Sequence, residues 1–211
     1  TFLYFFTDIK ILKGMATVSA VQSGNWSNTA TWNTGSVPAS TDDVVIDNGY
    51  TVTLDNDYTC ASLAVTAPSA NGTSQLTVSV GKTLTVSGNV SLTGGSNNSR
   101  DANILFSGTG SKLDINGNLS FNSSSSQRCL IDMSTNASQV NIAGSFTITG
   151  SIAWSAGTAS IVNFDGSAAQ TFPVSSGLNL NDVYFNNTST SGANIDANIT
   201  AQLVGGNIRV Q

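Results

Sequence analysis

The sequence predicts an all-β chain wound into a single-stranded parallel β-helix (a β-solenoid), with coils of about 27–31 residues and an N-terminal cap. Strand and crossover chirality favours a right-handed coil. Three observations carry that expectation. A nine-residue pattern of alternating apolar and small polar residues recurs as Leu84-x-Val86-x-Gly88-x-Val90-x-Leu92, Leu113-x-Ile115-x-Gly117-x-Leu119-x-Phe121 and Val140-x-Ile142-x-Gly144-x-Phe146-x-Ile148. The copies begin at residues 84, 113 and 140, a near-constant period of the kind that marks stacked repeats. Composition agrees: 79 of 211 residues are Ser, Thr or Asn, 20 are Gly and none is Glu, which suits strand exteriors and turns better than helix interiors.

Alternation of period two turns the odd slots of each copy inward and the even slots outward. Gly holds the middle slot every time, where a Cβ is expected to collide with the core, so each copy reads as two short strands meeting at a bend. Propeller blades need about 40–45 residues per repeat, and leucine-rich repeats need an L-x-x-L-x-L frame that is absent here. A partial fourth copy runs Val204-x-Gly206-x-Ile208-x-Val210.

Along the chain, three segments are expected: 1–14, a non-native leader or a capping strand; 15–75, the cap and first coils; and 76–211, further coils. Residues 1–14 are bulky and aromatic, unlike the Ser-, Thr- and Asn-rich remainder of the chain. They read either as translated leader ahead of a start at Met15, or as a first strand with Phe2, Tyr4 and Phe6 on one face. Apolar Ile208 and Val210 still alternate near Gln211, so more chain or a partner contact is expected beyond it.

Charge and residue types narrow the function classes. Net charge is −5 with only seven Lys and Arg, so no basic stripe exists for nucleic acid, and anionic membranes are disfavoured. No apolar run reaches the roughly 18 residues a membrane span needs. His and Glu are absent, which removes a Ser-His-Asp triad, a Cys-His pair and imidazole-ligated zinc. Asp114, Asp132, Asp165 and Asp182 fall at unrelated positions, and adjacent Asp42 and Asp43 point to opposite faces of a strand, so no paired carboxylates emerge. A chain without catalytic activity and without cofactor is expected. Asp55-Asn56-Asp57-Tyr58-Thr59 opens like a calcium loop but has Cys60 and Thr66 where such a loop needs Gly and Glu, and it reads as a polar turn. Thr51-x-Thr53, Thr83-x-Thr85 and Thr147-x-Thr149 invite an ice-binding face. However, Thr83 aligns with Lys112 and Gln139, and Thr147 with Ser91 and Ser120, so the array is out of register. Cys60 and Cys129 lie a little over two coils apart, about 9–10 Å along the axis, too far for a disulfide, and read as buried free thiols. Trp26 and Trp32 admit two readings: an aromatic platform for a sugar ring, extended by Tyr50 and Tyr58, or a plug for the end of the solenoid. Trp154 reads as core.

A family likeness lies in Gly24-Asn25-Trp26, Ala30-Thr31-Trp32, Val37-Pro38, Asp42-Asp43-Val44-Val45-Ile46, Thr51-Val52-Thr53-Leu54-Asp55 and Gly81-Lys82-Thr83-Leu84-Thr85-Val86. This run resembles the opening segment of parallel β-helix proteins of phage virions and of large secreted bacterial adhesins. Val162-Asn163-Phe164-Asp165-Gly166 through Gln170-Thr171-Phe172 is similar to a recurring piece of such adhesins. The resemblance implies a structural and adhesive module on an exterior surface, a tail-fibre or decoration protein or else an adhesin fragment. Its partners would be other virion or cell-surface proteins and surface glycans, and the fold suits a homotrimer. The remaining alternative is a polysaccharide-degrading β-helix, which needs a groove with clustered Asp beside a basic group.

Overall fold

A computed structural model describes residues 15–97, 99–124, 128–135, 137–173, 175, 177–191, 193–195 and 206–210. The leader-or-strand question over residues 1–14, and Val204, lie outside the described residues. The chain is an all-β parallel solenoid with three faces. The first sheet stacks Thr17–Ser19, Asp43–Ile46, Ser62–Thr66, Val90–Thr93, Leu119–Asn122 and Phe146–Thr149. The second stacks Gly24–Asn25, Thr51–Leu54, Gly72–Val78, Arg100–Phe106, Cys129–Met133, Ala153–Ala156 and Leu178–Asn179. The third stacks Tyr58–Cys60, Thr83–Val86, Lys112–Ile115, Gln139–Ile142, Ile161–Phe164, Asp182–Phe185 and Ile208–Val210. A separate parallel pair, Gln170–Phe172 with Ala193–Ile195, comes after the first sheet.

Each nine-residue copy is the last strand of one coil and the first strand of the next, as the alternation requires: Leu84 and Val86 lie in the third sheet, Val90 and Leu92 in the first. The apolar slots stack in unbroken columns, Leu84 on Leu113 on Val140 on Val162 on Val183, and all five are buried. Burying apolar surface at about 25 cal/mol per Å² is the main stabilising term for such a core.

The glycine slot behaves differently from the expectation. Gly88, Gly117 and Gly144 are half-buried at the corner, and a Cβ on Gly117 would stand 2.5 Å from the carbonyl carbon and oxygen of Gly88. The collision is therefore with the backbone of the preceding coil, not with the core. That close approach is what allows Gly117 N–H to donate to Gly88 O and Gly144 N–H to Gly117 O, each at 2.9 Å. The neighbouring asparagines complete the corner. Asn89 Oδ1 accepts from Asn118 N–H at 2.9 Å, and Asn118 Oδ1 accepts from Ser145 N–H at 2.7 Å.

Coil length also departs from 27–31 residues. Leu84 to Leu113 and Leu113 to Val140 keep the long period, but Val140 pairs with Val162 and Val162 with Val183, so the later coils are several residues shorter. The second-sheet strand contracts from seven residues, Arg100–Phe106, to four, Ala153–Ala156. The core there turns aromatic. Phe146 packs on Trp154 at 5.7 Å and on Phe164 at 6.4 Å, Phe164 on Phe172 and Phe185 at 5.4 Å each, and Trp154 Nε1 donates to Met133 Sδ.

Where the perimeter changes, the glycine corner gives way to a side chain. Gly166 N–H donates to Gln170 Oε1 at 3.0 Å, while Gln170 Nε2 donates to Ile142 O and Gly144 O at 2.7 and 2.8 Å. The buried Gln170 amide thus satisfies the Gly144 carbonyl that the next glycine would otherwise have met, and adds a second donor to Ile142 O beside Asp165 N–H. The expected fourth copy is likewise placed differently. Ile208 and Val210 pair with Val183 and Phe185 in the third sheet, so Gly206 precedes a strand instead of joining the corner column.

Candidate functional site

Among the described residues, the first coil has no strand in the third sheet, which begins at Tyr58–Cys60. In its place the segment 33–42 crosses that side of the molecule. Local bonds hold the segment: Gly35, at φ +64°, donates to Trp32 O; Asp42 N–H donates to Ala39 O, and Ala39 N–H to Asp42 Oδ2 at 2.8 Å. Asp42 and Pro38 are buried. Between this wall and the outer face of the third sheet lies an open cleft of about 460 Å³, lined by Pro38, Ser40, Asp57, Tyr58, Thr59, Thr83 and Thr85.

The lining results from register. Thr59 and Thr85 are partners on adjacent strands, so their hydroxyls lie one strand spacing apart, roughly 4.8 Å. Asp57 Oδ1 accepts from Thr83 N–H at 2.8 Å, which fixes the carboxylate at one end. Tyr58 is held from behind, its ring stacked on Trp26 at 5.7 Å and 23°. Burial, aided by the Asp55 carboxylate and opposed by a hydrogen bond to Ser27, pushes the Tyr58 hydroxyl above its ordinary pKa, so the ring stays neutral. Among the described residues, Asp57 is the one charged side chain lining the cleft.

The sequence-derived aromatics separate here. Trp26 and Trp32 are buried, pack edge to face at 5.1 Å, and Trp32 Nε1 donates to Trp26 O at 2.8 Å. Their ring faces are occupied by protein, so they fill the solenoid end and present no flat surface to a sugar. Tyr50 and Tyr58 are both half-buried against the core, and of the two only Tyr58 also lines the cleft. Pro38, Ser40, Thr59, Thr83 and Thr85 were not visible as a group in the sequence. Thr83-x-Thr85 stood out only as a triplet, and its pairing with Thr59 is the signal that places it here.

The remaining polar residues have structural partners. Asp43 Oδ1 accepts from the Ser62 hydroxyl, and Asp55 accepts from Ser27 N–H and Oγ–H. For Asp55 burial works against the charge, but the Ser27 donors outweigh it and hold the carboxyl below its usual range. Asp55 and Asp57 therefore serve different partners and do not converge. Asp114 bridges Lys112 Nζ at 2.9 Å and Asn141 Nδ2, with Gln139 Nε2 on Asn141 Oδ1. Burial raises the Asp165 pKa, the nearby Asp114 charge adding to it and Lys112 opposing it. Asp132 accepts from Ser134 N–H and Asp182 from Asn207 N–H, on different faces. The three threonine triplets fall on three different sheets, and Lys112 does stand between Thr83 and Gln139. Cys60 and Cys129 are free and buried.

Among the described residues, no three His, Cys, Asp or Glu side chains converge to hold a metal, and no helix is long and apolar enough to cross a membrane. No protein-family profile, curated protein or solved structure matches the chain. The fold thus rests on strand register and burial, and the functional reading on the chemistry of the surface.

Proposed function

We propose that the chain is a non-catalytic spacer and attachment module displayed on an exterior surface, as a component of a phage virion such as a tail fibre or decoration protein. The observation that carries this reading is the in-register stacking of three parallel sheets behind faces dominated by small uncharged side chains. Parallel stacking extends the molecule coil by coil without enlarging its cross-section. An exterior of Ser, Thr and Asn is wetted by water and offers proteases few charged or aromatic anchors. The carboxylates support the absence of catalysis. Asp114, Asp132 and Asp182 are each tied by hydrogen bonds to a neighbouring strand or turn.

Antibodies raised against the folded chain test the reading by immunogold labelling of intact particles and intact cells of the source. Label on the particle exterior is the expected result. Label on the cell envelope assigns the chain to a bacterial adhesin, and label only after lysis overturns surface display.

A further inference from the structure

We propose that the cleft between segment 33–42 and the third sheet binds one neutral sugar ring, so that the attachment role proposed above is exercised there. The inference rests on that attachment reading for its purpose, but its chemistry stands on the cleft alone.

Volume is the first consideration. About 460 Å³ falls within the range of small-ligand sites and admits one ring and part of its neighbour. The second is the kind of group on offer. Ser40, Thr59, Thr83 and Thr85 supply four hydroxyls, none of which hydrogen-bonds to another described residue. Each can donate and accept, which matches sugar hydroxyls that do both. Asp57 adds a charged acceptor. Its Oδ1 is engaged by Thr83 N–H, leaving Oδ2 to take a donor from the ligand. A charge-assisted bond of that kind is about twice as strong as a neutral one and gives the cleft its fixed point.

The third consideration is rigidity. Binding costs side-chain ordering unless the site is set in advance. Thr59, Thr83 and Thr85 sit on paired strands, and the Trp26 stack fixes Tyr58. The wall of Pro38 and Ser40 is tied down through the Ala39–Asp42 bonds and by Ala61 N–H donating to Asp42 O at 2.9 Å. Little is left to order when a ligand arrives.

Charge then selects among sugars. Among the described residues, the cleft is lined by a carboxylate and by no cation, and Lys112 on the strand beside Thr83 is paired with Asp114, so a uronic or sialic acid meets repulsion from Asp57. Neutral hexosides and N-acetylhexosaminides meet no such cost. Peptide ligands are disfavoured because the cleft presents no apolar pocket, and segment 33–42 already flanks the Tyr58–Cys60 edge of the third sheet, with Asp42 O taking Ala61 N–H.

The test uses the full chain with methyl glycosides of neutral hexoses and N-acetylhexosamines as probes, and glucuronic and sialic acid glycosides as the contrasting set. Amide and methyl resonances of Thr59, Thr83 and Thr85 are followed by NMR during titration. The expected result is saturable shifts confined to the cleft with at least one neutral probe and none with the acidic set. Thr85→Val keeps strand propensity and shape while deleting a hydroxyl. Asp57→Asn keeps an acceptor for Thr83 N–H while deleting the charge. Each is expected to weaken binding by about tenfold, with an unchanged amide fingerprint elsewhere showing that the fold is retained. No cleft shift with any neutral probe at tens of millimolar overturns the proposal. So does neutral-sugar binding that both variants leave unaltered, since that binding lies elsewhere. Surface labelling is scored independently: labelled exteriors with a silent cleft refute this inference and leave the attachment reading standing, whereas a binding cleft with label only after lysis does the reverse.

Discussion

Replacing Gly117 by Ala probes the corner stacking most directly. The added Cβ would stand 2.5 Å from both the carbon and the oxygen of the Gly88 carbonyl and 2.7 Å from Asn89 Oδ1, whereas ordinary contact starts at 3.4 Å. One coil must retreat from the other by about 1 Å, at an overpacking cost of about 1–3 kcal/mol. That retreat stretches the 2.9 Å bonds from Gly117 N–H to Gly88 O and from Asn118 N–H to Asn89 Oδ1, each worth about 1 kcal/mol. Reduced freedom of the unfolded chain returns about 0.4–1 kcal/mol. The net expectation is a loss of about 2–4 kcal/mol. It should be localised at this corner, because a solenoid transmits stability through nearest-neighbour contacts. Native-state hydrogen exchange reads it at the Gly117 and Gly144 amides, with urea unfolding as the global measure and Ser87→Ala at the same corner as the control. If Gly117→Ala lies within about 0.5 kcal/mol of the parent and both amides keep their protection, the account of the glycine column is wrong.

Packing and ionisation elsewhere in the chain lead to three further expectations. Gln170→Leu strands the Gly144 carbonyl and the Gly166 N–H, leaves Ile142 O only its bond from Asp165 N–H, and should cost about 2–4 kcal/mol in thermal or urea unfolding. Gln170→Glu should fail to rescue it, since a carboxylate cannot donate. Trp154→Ala empties the aromatic stack among Phe121, Phe146 and Met133, with an expected loss of about 3–5 kcal/mol by the same assays. Burial, with help from Asp43, pushes the Cys60 thiol up to about 12, and burial pushes Cys129 to about 11 against backbone hydrogen bonding with Gly94 and Asn122. Neither thiol should react with a disulfide reagent at pH 8 until the chain is unfolded. Because both folded values exceed the unfolded value near 9, their contribution to stability is complete below pH 9 and falls as pH rises toward the folded values; melting curves between pH 8 and 11 measure it.

The parts of the molecule that were legible in the sequence are those where one residue's role repeats. The inward columns from Leu84 to Ile142, the bend at each glycine and the offset of Thr83 from Gln139 come from period and alternation alone. The shorter later coils were hidden because the strand pattern Val162-x-Phe164 looks the same whatever the length of the connecting turns. Ile208 and Val210 alternate like either strand of the nine-residue copy, and only pairing with Val183 and Phe185 reveals which. Gln170 gave no signal, since a buried amide that stands in for a backbone donor is set by carbonyls on another coil. The cleft was illegible for a related reason. It exists because, among the described residues, the first coil has no strand in the third sheet, and an omission leaves no motif. Of the four aromatic residues considered for sugar contact, only Tyr58 combines a ring fixed by a partner with a place in that opening.

The direction of the hydrogen bonds in this solenoid governs how it answers to load. In each sheet the backbone bonds run along the long axis while the chain itself runs across it, so tension between the two ends of the stack pulls the coils apart bond row by bond row. The Gly88–Gly117–Gly144 corner and its asparagine bonds lie on the same line and must part with each coil. A coil of the length between Leu84 and Leu113 releases roughly 90–100 Å of chain when it opens, at about 3.3 Å per residue. Under a sustained pull the molecule would lengthen in discrete steps and dissipate work at each one, while sideways bending meets three sheets acting together. A tether built this way is compliant along its length and stiff across it.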